Sequence, residues 1–521
     1  MTLNPMRLPR GPQFVSPFGL GRSLHDTAAS RAHEAACLAG QPAHALMQRA
    51  GLAVAKLALA VAPHARQVWV AAGPGNNGGD GMLAALALHQ AGLKVWVTLT
   101  RAAQRLSGDA AWAQAQAHAS GVPMGEAPCP FEPDLALDAL LGLGTRRAPE
   151  GRLLDSIVAL NGCTQVLAID LPSGLHPDTG VVLGELAVRA DHTLSLLTLK
   201  PGLFTAQGRD HAGQVWLDDL GAGPAAPATA LRLCGLQDAT ATLPARRHAS
   251  HKGSYGDVAV VGGEAGMSGA ALLAAQAALA AGAGRVFVSL LDDAHPGVSM
   301  NRPELMLRHA WWRSPPSVLT QTTVVCGCGG GAGVAATLPA LLSQVRRLVL
   351  DADALNAVAA DTALQTLLRA RRGRGLATVL TPHPLEAARL LACSVAQVQA
   401  DRLAAAAALA DQMGCITLLK GSGTVIAAPG GQQRINPSGN ALLASGGTGD
   451  VLAGWLGGLW AQQPDDDDQA SAVTTALATT SAAAWWHGLA ADEALAQQPG
   501  ALPLSAADLA QALPAVASRH R

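Results

Sequence analysis

Tyrosine occurs once in 521 residues, phenylalanine five times, and lysine only at Lys56, Lys94, Lys200, Lys252 and Lys420. With 36 basic against 37 acidic side chains and no basic stripe interleaved with aromatics, nucleic acid is not an expected partner. Arginine carries most of the positive charge, so each lysine is a candidate for a specific task. No Cys-x-x-Cys pair occurs among Cys37, Cys129, Cys163, Cys234, Cys326, Cys328, Cys393 and Cys415, and no histidine cluster has zinc-ligand spacing. Reduced, buried thiols in a cytoplasmic protein are the simplest reading. Apolar runs of membrane-spanning length are missing as well, although 49% of the chain is hydrophobic. Alanine supplies much of that content. The best candidate, Ala270 to Ala281, contains Gln276 between Gly269 and Gly282 and reads as a buried helix, so no membrane partner is expected. Met1 to Ser30 has Arg7 and Arg10 but no apolar core for a secretory signal, and reads as a loose leader.

Glycine, by contrast, is abundant, at 57 residues. The segment Ala444-Ser445-Gly446-Gly447-Thr448-Gly449-Asp450 runs straight into the apolar Val451-Leu452-Ala453-Gly454-Trp455-Leu456. A loop of this kind can turn its N–H groups to one point, and a helix starting near Asp450 adds the positive end of its dipole there. Phosphate would fit, with the Asp450 carboxylate beside it to accept a proton from an attacking hydroxyl. A tight strand-to-helix loop without a ligand explains the same glycines.

The length calls for two or more domains. Short apolar runs at 67–72, 94–100, 135–141, 165–170 and 192–199 alternate with helical segments, including Gly81 to Ala91 and Asp109 to Ala119. A second block repeats the alternation, with runs at 257–261, 285–291, 322–328, 347–353 and 377–381 and the close pair 415–420 and 423–428. Both read as α/β domains with a parallel sheet covered on two faces, binding ligands beyond the carboxyl ends of the strands. The Pro/Ala/Gly stretch Gly221 to Thr229 reads as a linker, giving domains 1–225 and 226–521.

In the first block, Gly73-Pro74-Gly75-Asn76-Asn77-Gly78-Gly79-Asp80-Gly81 follows a strand and precedes a helix. Phosphate at the helix start and a cation on the Asn76 and Asn77 carbonyl oxygens are one reading. A turn with Asp80 as N-cap is the other. Asp138 and Asp170 end apolar strands, where an acid is costly without a partner, and favour a small-molecule site with a cation. Asp351 and Asp353, two apart, would share one side of a strand and assist magnesium, or serve as a helix cap and a turn acid. His383, between prolines, is a loop histidine on its own residues, and Trp485-Trp486-His487 read as core or subunit packing.

The segments 73–81, Asp138-Ala139-Leu140-Leu141-Gly142 and Ile169-Asp170-Leu171-Pro172-Ser173-Gly174 resemble the NAD(P)H-hydrate epimerase domain, a Rossmann-like fold. The resemblance implies interconversion of the R and S forms of hydrated NADH and NADPH. It implies that Asn76, Asn77, Gly78, Gly79 and Asp80 hold the dinucleotide phosphates, that Gly142, Leu143, Gly144, Thr145, Arg146, Arg147 and Ala148 border the hydrate, and that Asn77, Asp138 and Ser173 bind potassium. Asp170 is the implied acid/base. The family usually has Gly-Thr-Gly-Leu where this chain has Gly142-Leu143-Gly144-Thr145, which displaces the hydroxyl by two positions.

The second block resembles the ADP-dependent NAD(P)H-hydrate dehydratase, a ribokinase-like fold, through His251-Lys252-Gly253, Gly269-Ala270, Asp351 to Asn356, Thr381-Pro382-His383-Pro384, Lys420-Gly421-Ser422-Gly423-Thr424 and Gly446 to Asp450. Here the usual Gly-Pro-Gly-Leu-Gly is Gly327-Cys328-Gly329-Gly330-Gly331. By this likeness Ala270, Gly329, His383 and Asp450 contact the hydrate, and Lys420 to Thr424 with Gly449 hold ADP, accompanied by magnesium. Phosphoryl transfer from ADP would turn the ring hydroxyl into a leaving group, with Asp450 as base. The order matches the bacterial fusion of both activities, and a homo-oligomer is expected by the same likeness. The competing readings are a ribokinase-like alcohol kinase fused to a nucleotide-binding domain, and a non-enzymatic nucleotide scaffold.

Overall fold

The computed structural model describes residues 11–100, 106–223, 230–292, 294, 302–465, 468–498, 500 and 503–521. Contacts divide the chain into two compact units: Ser23–Thr229 with the residues up to Ser16, and Ala230–Arg521 with Pro17–Arg22. The linker reading falls outside the described residues from 224 to 229. The leader is not loose from residue 11 onward. Gln13–Phe14 pairs antiparallel with Gln214–Asp218, and the first helix, Thr27–Leu38, is capped by the Asp26 carboxylate.

In the first unit eight strands lie in the order Gln13–Phe14, Gln214–Asp218, His192–Leu196, Val166–Ile169, Leu135–Ala139, Gln67–Ala72, Lys94–Leu99, Met124–Gly125. Apart from the first pair they run parallel. Their near-continuous apolar sequences follow from burial on both faces. Val68, Val70 and Ala72 pack with residues of helices Ala45–Val61 and Asn76–Gln90, whereas Trp69 and Ala71 pack with Ile157 and Leu160 of Arg152–Leu160. The result is a three-layer, doubly wound sheet. Its strand order reverses between Gln67–Ala72 and Leu135–Ala139, so the loops leaving these two strands diverge and open a crevice.

Those loops start in contact. The Gly73 N–H donates to the Ala139 carbonyl at 3.0 Å, and a Cβ on Gly73 would lie 1.7 Å from the Leu140 carbonyl oxygen. The following helix begins at Asn76, not Gly81, with Gly75 at its N-cap. Asp80 is therefore in the second turn and caps nothing. Asn76 to Gly79 are poor helix formers, and packing against the sheet overrides that weak preference.

The second unit holds an eleven-stranded sheet in the order Met306–Leu307, Arg285–Leu290, Asp257–Gly262, Thr322–Cys326, Arg347–Leu350, Ala377–Leu380, Ile416–Leu419, Val425–Ala427, Gln433–Ile435, Leu231–Leu233, with Arg22–Ser23 at its edge. Pairing is parallel as far as Ile416–Leu419, and Val425–Ala427 and Gln433–Ile435 then add antiparallel. Val258 and Val260 pack on the side of helices Ser268–Ala280 and Thr448–Ala461, and Ala259 and Val261 on the side of Leu341, Leu355 and Leu368. This is again three-layered, as the ribokinase-like reading requires. Among the described residues no helix is long and apolar enough to cross a membrane.

The glycine loop before Thr448–Ala461 ends at Gly447, which caps the helix at φ 88°, a conformation open to glycine at no steric cost. Beneath it lies helix Gln469–Gln497, whose Trp485 and Trp486 are fully buried. The third residue of that trio binds the loop: His487 Nε2 donates to the Thr448 carbonyl at 2.9 Å, and burial lowers its pKa to about 4.

Two stability effects follow from these contacts. Gly73→Ala should force the two loops apart and destabilise the first unit by about 1–3 kcal/mol, read as a lowered denaturation midpoint. His487 titrates near 6.5 when unfolded and about 4 when folded. In that window the unfolded chain binds the extra proton, so stability falls as pH falls, by up to about 3 kcal/mol. Denaturant unfolding across this range should show the loss in the wild type and a shallower one in His487→Gln; equal slopes would remove His487 from the account.

Candidate active sites

In the first unit the crevice widens into a cavity of about 500 Å³. Asn76, Asn77 and Asp80 border it from the helix, Gly142, Leu143, Gly144 and Thr145 from the loop after Leu135–Ala139, and Asp170 from the end of Val166–Ile169. Gly78 and Gly79 lie buried against the Gly73 carbonyl and the Met47 side chain. Arg146, Arg147 and Ala148 are exposed and stand outside the cavity lining. The displaced hydroxyl has a local use, since Thr145 Oγ1 donates to the Gly142 carbonyl at 2.7 Å and closes the turn.

Asp138 is fully buried and bound to Ser173 twice, accepting from its Oγ at 2.6 Å and its N–H at 2.7 Å. Asn77 Nδ2 donates to the Leu141 carbonyl at 2.8 Å, and the Leu141 N–H donates to Ser173 Oγ at 2.9 Å. The three residues tied to potassium by sequence are thus joined in one network. Burial raises the Asp138 carboxyl to about 6 against the Ser173 hydrogen bonds, and no basic side chain pairs with it among the described residues.

Asp170 sits at φ 69°, a costly conformation for a residue with a Cβ. Its N–H donates to the Leu194 carbonyl at 2.7 Å, and its Oδ1 accepts from Lys200 Nζ and, at 3.3 Å, from the Leu196 N–H. Lys200 is only 2% exposed and also donates to the Leu196 carbonyl at 2.8 Å. Facing this pair are two carboxyl groups, Asp80 and Glu34, that make no ion pair among the described residues. Burial, then the charge of Asp170, pushes Asp80 well above the ordinary carboxylate range, and the same two causes raise Glu34.

In the second unit the strand order reverses between Asp257–Gly262 and Thr322–Cys326. The loop leaving the latter carries Gly327 to Gly331, and a Cβ on Gly329 would lie 2.9 Å from that of Ala270, so these two predicted hydrate contacts are neighbours. The Cys328 thiol and the carboxylates of Asp351 and Asp450 have their ligand atoms within 4.8 Å of one another. Lys420 Nζ donates to Asp351 Oδ1 at 2.7 Å, and Thr381 Oγ1 to the same oxygen at 2.8 Å. Lys420 Nζ also lies 3.3 Å from where a Cβ on Gly449 would be. Asp450, in the first turn of its helix, is raised to about 6 by burial and by Asp351, with the Cys328 hydrogen bond and Lys420 opposing. A carboxylate, an ammonium and a helix N-terminus therefore lie side by side.

Asp351 and Asp353 do not share a side. The strand ends at Leu350, Ala352 turns the chain at φ 46°, and Asp353 Oδ2 accepts from the Gly331 N–H at 2.9 Å. His383 is more than a loop histidine: its Nδ1 accepts from the Leu385 N–H at 3.1 Å and caps helix Pro384–Leu391. Thr424 Oγ1 donates to the Gly421 carbonyl at 3.1 Å and closes the turn that holds Ser422 and Gly423, while Gly421 rests on the Arg402 guanidinium. Sequence reasoning missed Glu34, Thr381 and the thiol bond to Asp450. Lys200 was marked only by the scarcity of lysine, whereas Lys420 was also among the residues that the resemblance ties to ADP.

Residues 258–515 match a family model described as NAD(P)H-hydrate dehydratase, and residues 43–202 one described as YjeF-related protein N-terminus. The bifunctional NAD(P)H-hydrate repair enzyme Nnr of Escherichia coli is 37% identical over 82% of this chain and 83% of its own. The Coxiella burnetii enzyme of the same name is 38% identical over 80% and 86%. A solved ADP/ATP-dependent NAD(P)H-hydrate dehydratase from Bacillus subtilis, crystallised with ATP and Mg2+, is 29% identical over 55% of this chain and 97% of that one, at a TM-score of 0.42. With two family matches and relatives aligned along most of their length, the chain belongs to the bifunctional NAD(P)H-hydrate repair enzymes, an epimerase unit followed by a dehydratase unit.

Proposed function

We propose that the first unit interconverts the R and S hydrates of NADH and NADPH at Asp170, and that the second dehydrates the S form at Asp450, consuming ADP and releasing AMP and phosphate. The observation that carries the second half is the convergence of Asp450, Lys420 and the Gly447–Gly449 amides. Hydroxide leaves poorly from the reduced ring. Once phosphorylated, it departs as phosphate, expelled by the ring nitrogen lone pair, and loss of a proton from the adjacent ring carbon to water then restores the dihydropyridine. Asp450 takes the hydroxyl proton, and the amides of Gly447, Thr448 and Gly449 neutralise the transferring phosphoryl group. Lys420, Gly421, Ser422, Gly423 and Thr424 bracket the AMP portion of ADP, while Ala270, Gly329 and His383 border the hydrate.

The donors in the first unit fit potassium: Asn77, Asp138 and Ser173 are hard oxygen ligands, and the buried Asp138 carboxylate has no counter-ion among the described residues. A bound potassium would supply that charge and fix the loop after Leu135–Ala139. Magnesium does not fit the Cys328, Asp351, Asp450 cluster, because a thiol suits it poorly and Lys420 already pairs with Asp351. Magnesium travels instead with the nucleotide phosphates.

With S hydrate, ADP and magnesium the dihydropyridine absorbance should return, AMP and phosphate appearing with it; a stable phosphorylated alcohol would mark a kinase instead. Asp450→Asn should slow dehydration by ~10²–10⁴ while ADP still binds by calorimetry. Wild-type turnover should decline as pH falls through about 6, where Asp450 becomes protonated and can no longer act as base. Asp170→Ala should stop R-to-S conversion and leave S dehydration untouched; loss of both together would break the division of labour. Potassium should raise the melting temperature of the wild type, and Asp138→Asn should remove that response.

A further inference from the structure

The acid cluster of the first unit contains more chemistry than one acid/base. Asp80 and Asp170 border the same cavity from opposite sides of the crevice, one on helix Asn76–Gln90 and the other at the end of Val166–Ile169. Their surroundings differ. Asp170 is paired with buried Lys200. Asp80 accepts no hydrogen bond from the described residues, and the groups around it are mostly acidic: Asp170, Glu34 from helix Thr27–Leu38 and Asp109 from helix Gly108–Ala119. The nearby cations are committed or peripheral, Lys200 to Asp170 and Arg31 on the exposed side of its helix. Met47 borders the same space from Ala45–Val61 and brings no charge. Two neighbouring carboxyl groups in such unlike environments are what divides the work of acid and base within one site.

We infer that Asp80 is a second catalytic residue of the epimerase, exchanging a proton with the ring hydroxyl while Asp170 serves the opposite face. This rests on the reading of Asp170 as acid/base. In one direction Asp80 gives its proton to the hydroxyl oxygen. The carbon–oxygen bond breaks, the ring nitrogen lone pair forms a carbon–nitrogen double bond, and water leaves. A water on the other face then adds to that carbon, the double-bond pair returns to nitrogen, and the surplus proton passes to the Asp170 carboxylate. Proton exchange with water in the cavity resets the two acids, and the reverse direction uses them in reverse order. A neutral Asp80 also removes the repulsion that an ionised carboxylate would exert on the dinucleotide phosphates.

Hydrate interconversion followed by chromatography tests this in the full chain. Asp80→Asn should lower kcat by ~10²–10⁴ with KM changed little, and S dehydration in the same sample should be unaffected. The wild-type rate should fall as pH rises beyond the ordinary carboxylate range, because only protonated Asp80 donates. An Asp80→Asn variant with intact kcat and raised KM would make Asp80 a binding residue and overturn the inference. So would a wild-type rate that shows no decline on the alkaline side, a result that needs no variant. Asp170→Asn separates the two readings: an active Asp170→Asn beside an inactive Asp80→Asn sinks the role of Asp170 alone, and the converse sinks that of Asp80 alone.

Discussion

Each unit depends on the same arrangement, a carboxylate buried at the carboxyl edge of a parallel sheet where the strand order reverses and the loops part. A helix N-terminus opens beside it in each case, Asn76–Gln90 in the first unit and Thr448–Ala461 in the second. Water is scarce there, so a charge is retained only with a designated partner. Lys200 fills that place for Asp170 and Lys420 for Asp351. Two of only five lysines are spent on these contacts, which explains how a chain so poor in lysine still places an ammonium in both sites.

The two sites use that partnership differently. In the first unit the ammonium sits on Asp170, the carboxylate proposed to react. In the second it sits on a neighbour, Asp351, and Asp450 is left with a thiol as its closest donor. Asp450 is consequently raised to about 6, above the ordinary carboxylate range, whereas Asp170 is oriented by several donors at the cost of a strained backbone.

Much of this was legible from residues. Glycine loops after apolar runs located both crevices, and acids at strand ends located Asp138 and Asp170, because such positions are costly without a function or a partner. Periodicity also identified the parallel sheets, since strands buried on both faces lose their alternation. What escaped was long-range. Glu34 joins the cavity from a helix far earlier in the chain, and no local pattern announces it. The helix start at Asn76 was hidden by residues with weak helix preference, and the divergence of Asp351 from Asp353 depends on one left-handed residue, Ala352. His487 looked like core and is core, yet its ring also anchors the glycine loop through the Thr448 carbonyl.

The replacement of proline by Cys328 has a quieter effect. Its sulfur is wholly enclosed, and burial together with the adjacent carboxylates keeps the thiol protonated far above its ordinary range. A protonated, sequestered thiol is a poor nucleophile and a poor target for oxidants. The chain thereby acquires a soft, uncharged hand on its base without taking on the redox fragility that an accessible cysteine would bring to the centre of a repair enzyme.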